Sequence, residues 1–219
     1  MRVFLTGASG FIGSAVIGEL RAAGHHVTGL ARSDKAAATL MEWGVEVRRG
    51  DVADPEGLAA GARASDGVIH CAFDHDFSKY LESGDADLRA VSAMAEALAG
   101  SGKPLVVTSG MTAGTPGRAC TEADAAQTEG LAGVRGRPEA LALSASQNGV
   151  RSVVVRLPLS VHDLGRPPGR LSALSSIRRS LSPEARGGSV RAGPPLYRAP
   201  RGSTLRQLVR EVRASIWLA

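Results

Sequence analysis

Three glycines at fixed spacing, Gly7, Gly10 and Gly13, join a short apolar run at residues 3–5 to a stretch of helical periodicity that opens at Phe11. In a tight strand-to-helix turn each has a separate steric reason. Gly7 permits the turn, Gly10 lets backbone N–H groups approach a bound group, and Gly13 lets the helix pack closely on the sheet. The helix then points its N-terminal N–H groups and the positive end of its dipole at whatever lies over the turn, an environment suited to an anion. A chain that opens in this way is committed to a buried strand feeding a helix.

The next 150 or so residues repeat that alternation. Ile12, Ala15, Val16 and Leu20 keep near-helical spacing and Gly24 closes the first helix. Further strands are expected at 27–30, 45–47, 68–72, 104–108 and 152–157. Helices are expected at 35–43, closed by Gly44; at 55–62, with Asp54 as N-cap; at 85–99, with Leu88, Val91, Met94, Ala95 and Leu98 on one face; and at 138–147. The strand at 152–157 is apolar at almost every position, as befits a strand covered by helices on both faces. Strands separated by helix-length crossovers define an α/β fold, a Rossmann-type doubly wound parallel sheet. With 219 residues and 43% hydrophobic content, the chain has material for one principal core.

After residue 164 the texture changes. From residue 165 there are eleven Arg, no Lys and only Glu184 and Glu211 as acids, so the net charge of +5 belongs to this segment, and residues 1–164 are mildly acidic. Apolar residues there show no sustained period until 203–218, where a short amphipathic helix fits. The expected organisation is a dinucleotide-binding domain at 1–164 and a short, largely irregular, arginine-rich C-terminal tail at 165–219. No stretch approaches the roughly 18 apolar residues of a membrane span, and the run at 3–5 is too short for a signal peptide, so a cytoplasmic location without membrane contact is expected. Cys71 and Cys120 offer neither a disulfide framework nor metal-ligand spacing, and both are expected as free thiols; no metal site is expected.

The residues expected to hold a dinucleotide are Gly7, Ser9, Gly10, Phe11, Ile12 and Gly13 in the turn, then a group at the end of the second strand. An acid there would take the ribose of NAD, and a base would pair with the 2′-phosphate of NADP. The chain reads Leu30-Ala31-Arg32-Ser33-Asp34, in which Arg32 can fork onto a phosphate and Ser33 can add a hydroxyl. NADP is therefore the first expectation, with NAD through Asp34 the second. After the third strand, Asp51 suits the adenine edge and Val52 an apolar lid; Asp51 equally suits a cap for the following turn.

Taken together, Thr6-Gly7-x-x-Gly10-x-x-Gly13, Gly50-Asp51-Val52, Val68-Ile69-His70-Cys71-Ala72, Val106-Val107-Thr108-Ser109-Gly110 and Val155-Arg156-Leu157-Pro158 resemble the extended and atypical short-chain dehydrogenase/reductases, the NAD-dependent epimerase/dehydratase group, over residues 1–164. The resemblance implies that Cys71 and Ala72 line the cofactor and that Pro158, with Val161 and His162 beyond it, lies beside the nicotinamide. It implies an oxidoreductase acting on a small carbonyl or hydroxyl compound. The Tyr-x-x-x-Lys pair by which that family moves a proton while hydride moves is missing: the tyrosines are Tyr80 and Tyr197, the lysines Lys35, Lys79 and Lys103. Gly133-Val134-Arg135-Gly136-Arg137-Pro138-Glu139 stands where the helix carrying the pair belongs. Ser109 remains as a group that could polarise a carbonyl or serve structure alone, and Tyr80 supplies a proton only if its loop folds inward. His70, Asp74, His75 and Asp76 follow the fourth strand, either as an acid–base relay or as a loop over the cofactor.

In the family the segment after the sixth strand builds a substrate lobe, and here a truncated or degenerate remnant of it is expected. Three functions stay open: an NADP-preferring oxidoreductase or a cofactor-binding remnant of one, a non-enzymatic NADP(H)-binding redox sensor, and nucleic-acid binding through the basic tail. Aromatic interleaving is sparse in the tail, where Tyr197 and Trp217 are the aromatic residues, which disfavours a nucleic-acid partner. Pairing of two copies through the helices at 85–99 and 138–147 is open.

Overall fold

The computed structural model describes residues 1–110, 121, 124–157 and the backbone of 189–192 and 197–198. Six strands run parallel: β1 (Arg2–Thr6), β2 (His26–Ala31), β3 (Glu46–Arg49), β4 (Gly67–His70), β5 (Pro104–Gly110) and β6 (Arg151–Leu157). Between them lie α1 (Phe11–Ala22), α2 (Asp34–Glu42), α3 (Pro55–Arg63), α4 (Tyr80–Leu98) and α5 (Gly130–Ser144). The strand order is β3-β2-β1-β4-β5-β6, which reverses direction between β1 and β4, the switch point where open α/β sheets bind ligands. The expected doubly wound sheet is present.

Alternation along each strand divides the core in two. Val3 and Leu5 of β1, Val106 of β5 and Val153 and Val155 of β6 pack with Val16, Ile17 and Leu20 of α1 and Leu40 of α2. Phe4, Leu105, Val107 and Val154 point the other way, onto Leu58 of α3, Val91, Met94 and Leu98 of α4 and Ala142 of α5. Both faces are apolar and both are covered, so the strands had to read as near-continuous hydrophobic runs.

Two helices begin earlier than their periodicity suggests. α4 starts at Tyr80 rather than 85, because Gly84 lets it seat against α5: a Cβ there would lie 2.5 Å from Cγ1 of Val134. α5 starts at Gly130 rather than 138, with Pro138 inside it. Gly133 and Gly136 lower its helix propensity but leave room for segment 126–128, whose backbone oxygens at Thr128 and Gln127 would lie 2.3 and 1.8 Å from Cβ atoms at those positions.

Within the tail, β7 (Ser189–Ala192) pairs antiparallel with β6 and β8 (Tyr197–Arg198) with β7, so six residues expected as irregular extend the sheet. Cys120, Pro158, Val161, His162 and the helix expected at 203–218 lie outside the described residues. No described helix is long and apolar enough to cross a membrane.

Candidate functional site

The glycine turn is built as its spacing requires. Gly7 has φ +65°, and a Cβ on it would lie 2.7 Å from the nitrogen of Ala72 and from the carbonyl carbon of Cys71. A Cβ on Gly13 would lie 2.2 Å from the Gly7 oxygen, so the helix and turn touch backbone to backbone. Gly10 is the N-cap of α1 with extended backbone; it supplies no side-chain cap, and the first turn carries no acid. That leaves an uncapped, positive helix end beside Ser9, which is exposed, and Phe11 and Ile12, which are half-buried against the core. A Cβ at Gly7 or Gly13 would collide with the backbone at the end of β4 or of the turn, so the glycines keep the turn and helix end in close register, and the uncapped amides there fit a pyrophosphate.

Four charged groups gather beyond β2 and β3. Arg32 has a side chain 69% exposed, with Nε 3.8 Å from Asp51. Ser33 caps α2 by accepting from the Ala36 amide, and Asp51 accepts from the Ala53 amide at 2.9 Å, so both side chains shape turns. Arg49, which sequence reasoning did not single out, pairs with Asp34 and donates to the Ser33 carbonyl at 2.7 Å. Its signal was the Arg48-Arg49 pair at the end of β3. Val52 packs on the second core cluster.

Cys71 and Ala72 sit under the glycine turn, at the carboxyl end of β4. Burial pushes the Cys71 thiol up to about 12, against a hydrogen bond with Thr108 that lowers it, so the residue stays a thiol rather than a nucleophilic thiolate. Ser109 is buried, and its hydroxyl makes only long contacts to backbone oxygens, 3.3 Å to Gly110 and 3.4 Å to Arg135.

The polar cluster after β4 separates into two groups. His70 is fully buried, with Nδ1 2.7 Å from the Thr6 hydroxyl and Nε2 2.8 Å from Asp87 of α4. Because the Thr6 oxygen already accepts from the Ala72 amide, its own proton is best spent on Nδ1, leaving Nε2–H to donate to Asp87. Asp87 also accepts from Arg135 of α5 at 2.6 Å, and Arg135 donates to the Thr108 carbonyl at 2.5 Å. A buried chain thus runs from the strand end that carries the glycine turn to Arg135. His75, Asp74 and Asp76 lie outside it.

Around Arg135 gathers a set of rings, the candidates His75 and Tyr80 together with Phe73 and Phe77, which the sequence did not single out. Its guanidinium carbon sits 4.2 Å from the centre of the Phe73 ring. Phe73 meets His75 and Tyr80 edge-on at 5.3 and 6.0 Å, and Phe77 stacks on Tyr80 at 5.6 Å with planes 19° apart. Burial raises the Tyr80 phenol above its ordinary value; the Arg135 charge opposes this and that of Asp87 adds to it. His75 presents one side to solvent and packs the other on the rings; this desolvation, then Arg135, holds its imidazole low against smaller opposite effects of the Phe73 backbone and Asp74. One turn before Arg135, where a tyrosine four residues ahead of a base would stand, Leu131 is 70% exposed.

A parallel sheet in this order with an uncapped glycine turn at its switch point defines a Rossmann-type dinucleotide-binding protein. The family model described as NAD(P)H-binding matches residues 7–163, and the chain belongs to that family. It is 46% identical over 167 residues to an uncharacterized protein of Saccharomyces cerevisiae, covering 75% of this chain and 56% of the yeast protein. The chain therefore spans little more than half the length of that relative. Among solved structures it is similar to UDP-glucose 4-epimerase of Thermus thermophilus in complex with NAD (TM-score 0.61, 24% identity, 81% of this chain and 61% of that one). It is also similar to vestitone reductase of alfalfa (TM-score 0.60, 21% identity, 76% and 60%). The domain is one that binds a nicotinamide dinucleotide.

Proposed function

We propose that this protein is an NADP-preferring oxidoreductase acting on a small carbonyl or hydroxyl compound. The observation that carries the reading is the adjacency of the uncapped glycine turn to the polar and aromatic cluster after β4: the Gly7 position abuts Cys71 and Ala72, and Phe73 follows at once. The bound nicotinamide would supply the hydride donor or acceptor. Gly7, Gly10 and Gly13 would hold the pyrophosphate on backbone amides, and Cys71 and Ala72 would line the cofactor. The preference for NADP rests on Arg32, exposed and held by Asp51 only at 3.8 Å, with Arg49 engaging Asp34 nearby. That arrangement offers a guanidinium to a 2′-phosphate while occupying the acid that would favour NAD. Tyr80, whose phenol keeps its proton at neutral pH, is the group with a proton to give, and Arg135 stands by as a fixed positive charge.

A second reading, a non-enzymatic NADP(H) sensor, draws support from Leu131 and Arg135 standing at the spacing of the family's tyrosine and lysine.

Thermal-shift titrations with NADPH and NADH test the first reading, since a ligand that binds only the native state stabilises it by mass action. Wild type is expected to favour NADPH, and Arg32→Ala to weaken NADPH about tenfold while leaving NADH unchanged, the size of a partly screened charge-assisted contact. No shift with either nucleotide in a cooperatively melting chain overturns it. Binding without turnover across a carbonyl panel moves the conclusion to the sensor.

A further inference from the structure

The ring cluster lies at the carboxyl ends of β4 and β5, on the side of the switch point away from β2 and β3. Phe73, Phe77 and Tyr80 are each half-buried, so the cluster keeps a wall open to solvent rather than closing on itself as core. Arg135 borders that wall. Its side chain is 12% exposed, and its contacts to Asp87 and the Thr108 carbonyl fix its direction. We infer that Phe73, Phe77, Tyr80 and Arg135 form the subsite for the second substrate, and that it takes a neutral, flat, conjugated carbonyl compound. The inference rests on the cofactor reading above and names the substrate class for the same site.

Flatness follows from the rings. Phe77 and Tyr80 lie nearly parallel and Phe73 meets Tyr80 edge-on, an arrangement that receives another π system by stacking or edge contact rather than a puckered aliphatic body. Neutrality follows from the charges. Asp87 already balances the guanidinium at 2.6 Å, so an incoming carboxylate would compete with a buried partner for the same cation. Asp74 and Asp76, exposed on the same loop, add repulsion for anions; the hydrogen bonds from Ser78 favour the charged form of Asp76. A carbonyl oxygen asks only for a hydrogen-bond donor and carries no net charge to be matched. A guanidinium with two of its nitrogens engaged still has N–H groups to offer.

The test is calorimetric titration of the full chain, saturated with NADP⁺ so that no turnover occurs, with 2-naphthaldehyde, cyclohexanecarboxaldehyde and 2-naphthoate. The aromatic aldehyde is expected to bind at least tenfold more tightly than the other two. Phe77→Leu is expected to weaken it threefold to tenfold, the range of one aromatic contact, and Phe77→Tyr to restore it. The NADP⁺ thermal shift, read in every variant, serves as control for folding and for the cofactor site. A normal NADP⁺ shift with no aldehyde binding, with equal binding of all three probes, or with Phe77→Leu indistinguishable from wild type overturns the subsite and leaves the cofactor reading intact. Absence of any NADP⁺ shift in wild type overturns the cofactor reading and this inference with it.

Discussion

At the scale of single residues, two glycines separate backbone freedom from close approach. Gly24 has φ +79° with nothing within 4 Å of a Cβ, so Gly24→Ala is expected to cost about 1 kcal/mol through the left-handed backbone alone and to leave cofactor binding untouched. Gly13 is the reverse case, with ordinary φ but a Cβ position 2.2 Å from the Gly7 oxygen, a backbone atom that moves only if the turn moves. Gly13→Ala is expected to destabilise the fold by about 1–3 kcal/mol and to abolish the NADPH thermal shift. Urea melts beside the shift assay separate the two. Another residue-scale prediction concerns Arg156, fully buried and paired with Glu139 at 2.5 Å, which also donates to the Asp124 carbonyl at 2.7 Å. The second oxygen of Glu139 has no hydrogen-bond partner, so Arg156→Leu leaves a buried carboxylate bare, with an expected loss of about 3–5 kcal/mol in urea unfolding.

At the scale of elements, the segment between β4 and α4 is where packing meets titration. His75 in the folded protein sits below its unfolded value of about 6.5, chiefly through desolvation against the rings. A depressed imidazole contributes stability that is complete above the unfolded value and is lost as pH falls from about 6.5 through the folded value, because the protonated ring must then sit partly desolvated near Arg135. Protection factors of the amides in residues 73–79, taken relative to the intrinsic exchange rate at each pH, are expected to fall below pH 6.5, and the His75 resonance to titrate below that value; a midpoint at or above it contradicts the packing described. α5 shows why some elements escape periodicity. Gly133, Gly136 and Pro138 argue against a helix locally, but Val134 against Gly84, Arg135 on Asp87 and the crossing of segment 126–128 favour one from Gly130 onward.

At the scale of the whole molecule, β6 is the hinge of the architecture: parallel to β5 on one side and antiparallel to β7 on the other. A chain ended at residue 164 uncovers the edge of β6 at Val153–Arg156, the residues that pair with β7, and unpaired apolar edges recruit other chains. Sedimentation velocity is expected to show concentration-dependent association of that truncation beyond any shown by the full chain; equal behaviour would mean that β7 adds nothing to the edge. The parallel sheet itself was legible because each strand is an apolar run between turn residues and each helix carries one apolar stripe, which are local patterns. The glycine turn was legible because its spacing is local: Gly10 and Gly13 meet the backbone of Gly7 and Ala8, although Gly7 itself also meets Cys71 and Ala72 across the sheet. β7 was not, because Ser189–Ala192 has no pattern of its own and becomes a strand only against the edge of β6. Nor was the Thr6–His70–Asp87–Arg135 chain, whose links span 64, 17 and 48 residues. The sequence alone therefore determined the class of fold and the form of the glycine turn, since both follow largely from period and short-range sterics. Which side chains meet after β4 was decided by tertiary structure, because burial pairs charges and rings across distances at which no local pattern operates.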